Sequence, residues 1–216
     1  MVNTQVTYST DELWQAFSER HTLTMHQLEQ FKQYYDLLIK TNDIHNLTAI
    51  TELEKVMNDH FDDSLALSSF IQTHAITSLA DVGTGGGFPG IPLKIKFPHM
   101  QVLLIEVTQK KIEFLQMVID ALGLKNIDTC SIDWRTFLRN TSYSIQLFCA
   151  RASLQPSELI RIFKPLSAYT NALLVYWASK SWQPLITEAA YIGKEIEYTV
   201  GDKTRRLIFF SLRPLL

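Results

Sequence analysis

The stretch Asp81-Val82-Gly83-Thr84-Gly85-Gly86-Gly87-Phe88-Pro89-Gly90 constrains this chain more than any other, because it gathers five of the eight glycines into ten residues. It follows the apolar run Ser78 to Val82 and leads into a helical pattern that opens near Ile91-Pro92, where proline is tolerated in a first helical turn. A strand, a tight glycine turn and a helix are therefore predicted in that order. Glycine, lacking a Cβ, can adopt the positive φ of such a turn and lets a ligand touch the main chain.

From Thr77 onward, apolar runs of strand length alternate with helical patterns, the signature of a parallel α/β sheet. The further runs are Val102 to Glu106, Ile127 to Ile132, Ile145 to Ala150 and Ala172 to Trp177. Between the second and third strands, Ile112, Leu115, Ile119 and Leu122 mark a helix face that Gly123 closes at the C-cap. The tail reads differently. Glu195 to Val200 and Leu207 to Leu212 are strands joined by Gly201-Asp202-Lys203-Thr204, a turn suited to an antiparallel hairpin. The expected class is α/β, with a mostly parallel sheet that ends in an antiparallel pair.

Ahead of the sheet, three hydroxyl residues stand three positions before Glu or Gln: Ser9 with Glu12, Thr24 with Gln27, and Thr51 with Glu54. Each is a capping box that opens a helix. After the second, Leu28, Phe31, Tyr35 and Leu38 recur at spacings of three and four and form one apolar face. Residues 1–75 are thus expected to form a helical cap and residues 76–216 the sheet domain. No Pro/Gly/Ser-rich linker separates them, so they should pack as one unit.

At 216 residues the chain suits one compact domain with a small appendage, and 46% hydrophobic with 19% charged residues is a soluble globular composition. The longest apolar run, Ala172 to Ala178, falls far short of the roughly 20 residues of a membrane-spanning helix. The start, Met1-Val2-Asn3-Thr4, shows no secretory signal, so a cytoplasmic protein without a membrane partner is expected. Cys130 and Cys149 lie in strand-like runs and read as buried reduced thiols. Charge is uneven: residues 1–75 carry 4 Lys/Arg and 11 Asp/Glu, net -7, whereas residues 76–216 carry 16 and 11, net +5. A basic face on the second part can meet phosphates even though the whole chain is acidic.

The turn's chemistry selects among ligands. Gly85, Gly87 and Gly90 satisfy G-x-G-x-x-G, which a nicotinamide-dependent oxidoreductase also carries. A dinucleotide, however, sets an anionic pyrophosphate at the helix N-terminus, and Asp81 would repel it. S-adenosyl-L-methionine has no phosphate and bears sulfonium and ammonium charges that Asp81 favours. Glu106, 23 positions after Gly83 and at the end of the second strand, can accept ribose hydroxyls from either cofactor.

Several motifs together carry a resemblance. They are Asn46-Leu47-Thr48-Ala49-Ile50, His60-Phe61-Asp62-Asp63-Ser64-Leu65, the turn with its continuation Phe88-Pro89-Gly90-Ile91-Pro92-Leu93, Lys110-Lys111 with Phe114-Leu115, Leu124-Lys125-Asn126-Ile127, Ala150-Arg151-Ala152 and Arg205-Arg206-Leu207. In these the chain resembles the RsmG family, also called glucose-inhibited division protein B, over most of its length. The resemblance implies a Rossmann-like class I methyltransferase with an N-terminal helical cap, which uses S-adenosyl-L-methionine to methylate N7 of one guanine in 16S rRNA. It also implies 16S rRNA or the small ribosomal subunit as partner, and a monomer is expected.

Carried over position by position, Asp81, Gly83, Thr84, Gly85, Gly87 and Phe88 would line the cofactor and Glu106 would hold its ribose. Ile132 to Arg135, with Trp134 and Arg135 foremost, would edge the adenine. Arg151 would face both the cofactor and the methyl-transfer site, with Asn46 and His60 beside it. No metal is implied. Two segments depart from the family pattern: Asp133-Trp134-Arg135 stands where R-x-E is usual, and Ala178-Ser179-Lys180-Ser181 stands where Lys-Gly is usual. A divergent paralogue that acts on another RNA, or binds the cofactor without turnover, is the alternative reading, with the oxidoreductase behind it.

Overall fold

The cap is built from α1 (Thr10–His21), α2 (Met25–His45), α3 (Leu53–Val56), a π-helical turn (Met57–Asp62), α4 (Asp63–Leu65) and α5 (Ser68–Thr73) in a computed structural model that describes residues 9–212. The amino-terminal residues read above for a secretory signal lie outside the described residues. Two of the three capping boxes form: Ser9 and Glu12 exchange side-chain-to-backbone bonds at α1, and Thr24 and Gln27 do so at α2. The third does not. Helix α3 starts at Leu53 with Glu52 as N-cap and no side-chain cap, because Thr51 lies one residue too early and its carbonyl accepts the Tyr35 hydroxyl at 3.1 Å.

The buried face of α2 also differs by one position. Leu28, Phe31 and Leu38 are buried as expected, but Tyr34 takes the interior place assigned to Tyr35, which is only half buried. Both tyrosines lie three or four residues from a neighbour on that face, so spacing alone could not choose between them. The cap packs on itself through Phe17, Phe31 and Phe61, whose rings meet edge-on or tilted at 5.0 to 5.9 Å, and Phe61 reaches the sheet domain at Phe88, 6.1 Å away between ring centres. Each fully buried aromatic of this kind contributes about 1.5 to 3 kcal/mol. Gln27 Nε2 donates to the Ile95 carbonyl and Gln30 Nε2 to the Leu122 carbonyl, at 2.8 and 2.9 Å, and so register α2 against two sheet-domain helices.

Seven strands follow: β1 (Ser78–Val82), β2 (Gln101–Ile105), β3 (Ile127–Cys130), β4 (Leu147–Arg151), β5 (Leu173–Ser179), β6 (Ile192–Val200) and β7 (Lys203–Phe210). They form one sheet in the order β3-β2-β1-β4-β5-β7-β6. The first five run parallel and β7 lies antiparallel between β5 and β6. β1 is central and buried at all five positions. Strand order reverses between β1 and β4, and in such sheets the crevice beyond the carboxyl ends at that point binds ligands.

The hairpin is tighter than expected. Val200 pairs with Lys203, leaving Gly201-Asp202 as a two-residue turn, and β7 begins four residues before the apolar run that marked it. Its first half is polar, Lys203-Thr204-Arg205-Arg206, so apolar patterning could not reveal it.

Helices α6 (Gly90–Lys96), α7 (Gln109–Ala121), α8 (Trp134–Asn140), α9 (Pro156–Leu159) and α10 (Ile186–Ala189) complete the domain. One core joins the cap to α6, α7 and one sheet face, and a second core on the other face holds Trp134, Phe137, Phe148 and Tyr169. Cys130 and Cys149 are free and buried. No helix among the described residues is long and apolar enough to cross a membrane.

Candidate active site

The glycine turn leaves β1 at the crevice. Gly83 N–H donates to the Ile105 carbonyl at 2.8 Å, which fastens the turn to β2. Gly87 has φ +99, and a Cβ there would come within 2.6 Å of both the Tyr34 hydroxyl and the Ile91 side chain. Gly87 is therefore glycine for packing as well as for conformation. Gly85 is different: at φ +60, the nearest atom a Cβ would meet is the Gly83 carbonyl oxygen at 4.0 Å. Its backbone faces open space, which is what a ligand lying against the main chain requires.

Two carboxylates flank that opening. Asp81 is fully buried; its Oδ2 accepts the Thr84 hydroxyl at 2.6 Å and the Gly90 N–H at 2.8 Å, bracing both ends of the turn. Among the described residues its Oδ1 has no hydrogen-bond partner, although it is buried. Burial pushes this carboxyl up to about 6, against the lowering effect of those two bonds. Glu106, one residue past β2, accepts Gly85 N–H on Oε2 at 3.1 Å and the N–H groups of Val107 and Thr108 on Oε1 at 3.0 and 2.9 Å. An ionised carboxylate offers about four lone-pair sites, so a place remains on Oε2. Lys111 Nζ stands 3.9 Å from that oxygen.

The cap supplies the opposite wall. In the π-helical turn the wider winding places Asp59, His60 and the following Asp63 toward the sheet, and all three are buried. Such turns recur at functional sites. His60 stacks on Phe88 at 4.4 Å, Phe88 stacks on Tyr34 at 5.4 Å, and the Tyr34 hydroxyl donates to the Gly86 carbonyl at 2.5 Å. The cap thus holds the outer side of the glycine turn.

Arg151, the last residue of β4, joins the two walls. It donates to Asp63 Oδ2 at 2.9 Å, to the Asp59 carbonyl at 2.6 Å and to His60 Nδ1 at 3.1 Å, with its guanidinium 5.3 Å from the Phe88 ring centre. His60 Nδ1 also lies 3.2 Å from the Asp59 carbonyl, and its Nε2 lies 2.8 Å from Thr48 Oγ1. Burial, then the Arg151 charge, hold His60 down to about 4, so the ring is neutral near pH 7. Asp63 also accepts the Tyr198 hydroxyl at 2.6 Å and lies 3.5 Å from Arg205, while its carbonyl accepts the Trp177 indole N–H at 2.8 Å.

The structure thus brings together Asp81, Gly83, Thr84, Gly85, Gly87, Phe88, Glu106, His60 and Arg151. Three expected residues stand apart from them. Asn46 ends α2 in a left-handed conformation, φ 50, and is exposed; among the described residues no hydrogen bond ties its side chain to His60 or Arg151. Trp134 turns its ring into the second core against Phe137 and Phe148 and donates its N–H to the Glu158 carbonyl at 2.9 Å. Its ring is committed to packing rather than left as a free stacking face. Arg135 is exposed and makes a two-bond pair with Glu158, at 3.0 and 2.9 Å. Asp133 has a local task, since its Oδ1 accepts Arg135 N–H and Thr136 N–H and caps α8.

Sequence reasoning missed Tyr34, Asp59 and Asp63 as parts of the site. The signal for the two carboxylates was available: Asp59, Asp62 and Asp63 crowd an otherwise apolar stretch around His60 and Phe61. Buried acids in such a stretch demand cationic partners.

Comparison with known proteins adds independent findings. The family model described as rRNA small subunit methyltransferase G matches residues 27–198. The chain is 39% identical over 195 residues to Ribosomal RNA small subunit methyltransferase G of Leuconostoc citreum, covering 88% of this chain and 80% of the relative. It is 38% identical over 195 residues to the protein of that name in Lachnoclostridium phytofermentans, with coverage of 88% and 77%. Among solved structures, a SAM dependent methyltransferase from Aquifex aeolicus shares the fold at a TM-score of 0.54 and 16% identity, over 77% of this chain and 97% of that one.

Proposed function

The chain belongs to the rRNA small subunit methyltransferase G family, and from that premise we propose that it transfers a methyl group from S-adenosyl-L-methionine to N7 of a guanine in 16S rRNA. The observation that carries the cofactor half is the open backbone of Gly85 between two buried carboxylates, one of which has an unpaired oxygen. A dinucleotide would bring its pyrophosphate toward Asp81, so electrostatics as well as family speak against the oxidoreductase reading.

Bound there, the cofactor supplies a methyl group on a positively charged sulfur. Asp81, Gly83, Gly85 and Phe88 would line it, Glu106 would accept a ribose hydroxyl on Oε2, and Asp81 Oδ1 would gain the polar partner it lacks. Guanine N7 carries an exposed lone pair, so its attack requires no prior deprotonation. A neutral His60 and an Arg151 whose terminal nitrogens are held by Asp59, His60 and Asp63 suit that chemistry, because neither has to move a proton. Their work is to shape the wall that faces the turn and to hold the base in line, and positioning of this kind can supply most of a methyl transfer's acceleration.

The division into a cap over residues 1–75 and a catalytic domain over 76–216, a monomeric state and a cytoplasmic location belong to the same proposal. Purified protein incubated with small ribosomal subunits and labelled cofactor should incorporate methyl groups, and mass-spectrometric mapping should place them on one guanine. Cofactor binding without incorporation would favour the paralogue that binds without turnover.

A further inference from the structure

A cleft of about 390 Å³ opens on the α8 side of the sheet, away from the cap, and is lined in part by Arg135, Arg139, Arg161, Lys164 and Leu166. Four of its lining side chains are therefore cationic. Glu158 fixes two of them, Arg135 through two bonds and Arg161 at 2.9 Å. Arg139 and Lys164 are exposed and make no ion pair among the described residues. The other nearby carboxylate, Asp133, is engaged in capping α8. Positive charge is in excess there, whereas the cleft beside α1 is lined by Glu12, Glu19 and Glu54 with Arg20 and has the opposite sign.

Position adds to charge. Arg135 is the second residue of α8, five positions past the carboxyl end of β3 at Cys130, and Glu158 lies in α9, the helix that follows Arg151. The cleft therefore starts at the rim of the crevice and runs toward Lys164, with Leu166 fully exposed at its far end. Fixed cations at a rim, with an apolar side chain beside them, suit a sugar-phosphate backbone from which bases are splayed out.

We propose that this cleft grips the rRNA backbone beside the methylated guanine, with Arg139 and Lys164 as phosphate contacts. The proposal rests on the rRNA methyl-transfer reading. It is tested with full-length protein by methyl-transfer kinetics on small ribosomal subunits across a salt series, comparing wild type with Arg139→Glu/Lys164→Glu and Arg139→Gln/Lys164→Gln. The charge-reversed protein should show KM for subunits raised at least about tenfold, with kcat, cofactor affinity and melting temperature held, and a log-log salt slope shallower by about 1 to 2. The glutamine variant should fall between. Unchanged KM and slope in variants of an active wild type overturn the cleft and leave the methyl-transfer reading intact. A KM rise with an unchanged slope, or with lost cofactor affinity, also overturns it. A wild type that transfers no methyl group removes the reading on which it rests.

Discussion

Two arginine–carboxylate pairs sit on either side of this sheet and do different things. Arg151 and Asp63 are 12% and 0% exposed and 2.9 Å apart; Arg135 and Glu158 are 59% and 32% exposed at the same distance. Equal geometry does not mean equal energy. An exposed pair exchanges water for a partner at little net gain, whereas removing one member of a buried pair strands the other charge in a medium that cannot solvate it. The first pair thus locks cap, β4 and hairpin together around the glycine turn, while the second only sets the direction of a surface side chain.

The sharpest way to break that contrast is Asp63→Ala, which should cost about 3 to 5 kcal/mol in chemical denaturation because Arg151, Arg205 and Tyr198 all lose their shared acceptor. A loss below about 1 kcal/mol would place the two pairs in the same class.

Next come the two buried titrating groups at the turn, which should act with opposite sign. Asp81 is raised to about 6, so it binds its proton more tightly folded than unfolded, and stability from it is lost as pH rises from about 4 to 6. His60 is lowered to about 4, so its contribution grows as pH rises from about 4 to 6.5. Relative to wild type, Asp81→Asn should gain stability across that window and His60→Gln should lose it, each by up to about 3 kcal/mol. Two flat difference curves would show that neither group is desolvated as described.

Glu106→Ala bears on binding rather than folding. It should weaken S-adenosyl-L-methionine by about 1 to 3 kcal/mol in calorimetry, through lost ribose bonds and a loosened Gly85. Unaltered affinity removes Glu106 from the site. The smallest effect belongs to Glu158→Ala, expected to leave stability in chemical denaturation close to wild type, with any loss reduced further by salt. A larger, salt-resistant loss would mean that the exposed pair is not behaving as a surface pair.

Much of this molecule could be read before any coordinates. The turn from Asp81 to Gly90, the strand ahead of it and Glu106 after β2 were legible because backbone need and ligand chemistry both act over a few consecutive residues. Legibility failed where a residue's role depends on a distant partner. Tyr34 could not be told from Tyr35 until the Gly86 carbonyl and Phe88 stood opposite it. Trp134, which by residue type suits edging an adenine and packing equally, is placed in the second core by Phe137 and Phe148. Lys203-Thr204 read as turn and Arg205-Arg206 fell outside the expected strand, because their pairing with β6 is carried by backbone and charge rather than by apolar alternation.

By itself, then, the sequence determined the class of sheet, the glycine turn and the family, since each is written in local spacing and residue type. Only the tertiary structure decided that the cap forms one wall of the site and that Asp63, 88 residues before Arg151, holds it in place. It also decided that Arg135, Arg139, Arg161 and Lys164 of the basic second part line one cleft on the α8 side. The reason is physical: ion pairs, stacking and burial depend on through-space distance and local dielectric, and neither exists until the chain has folded.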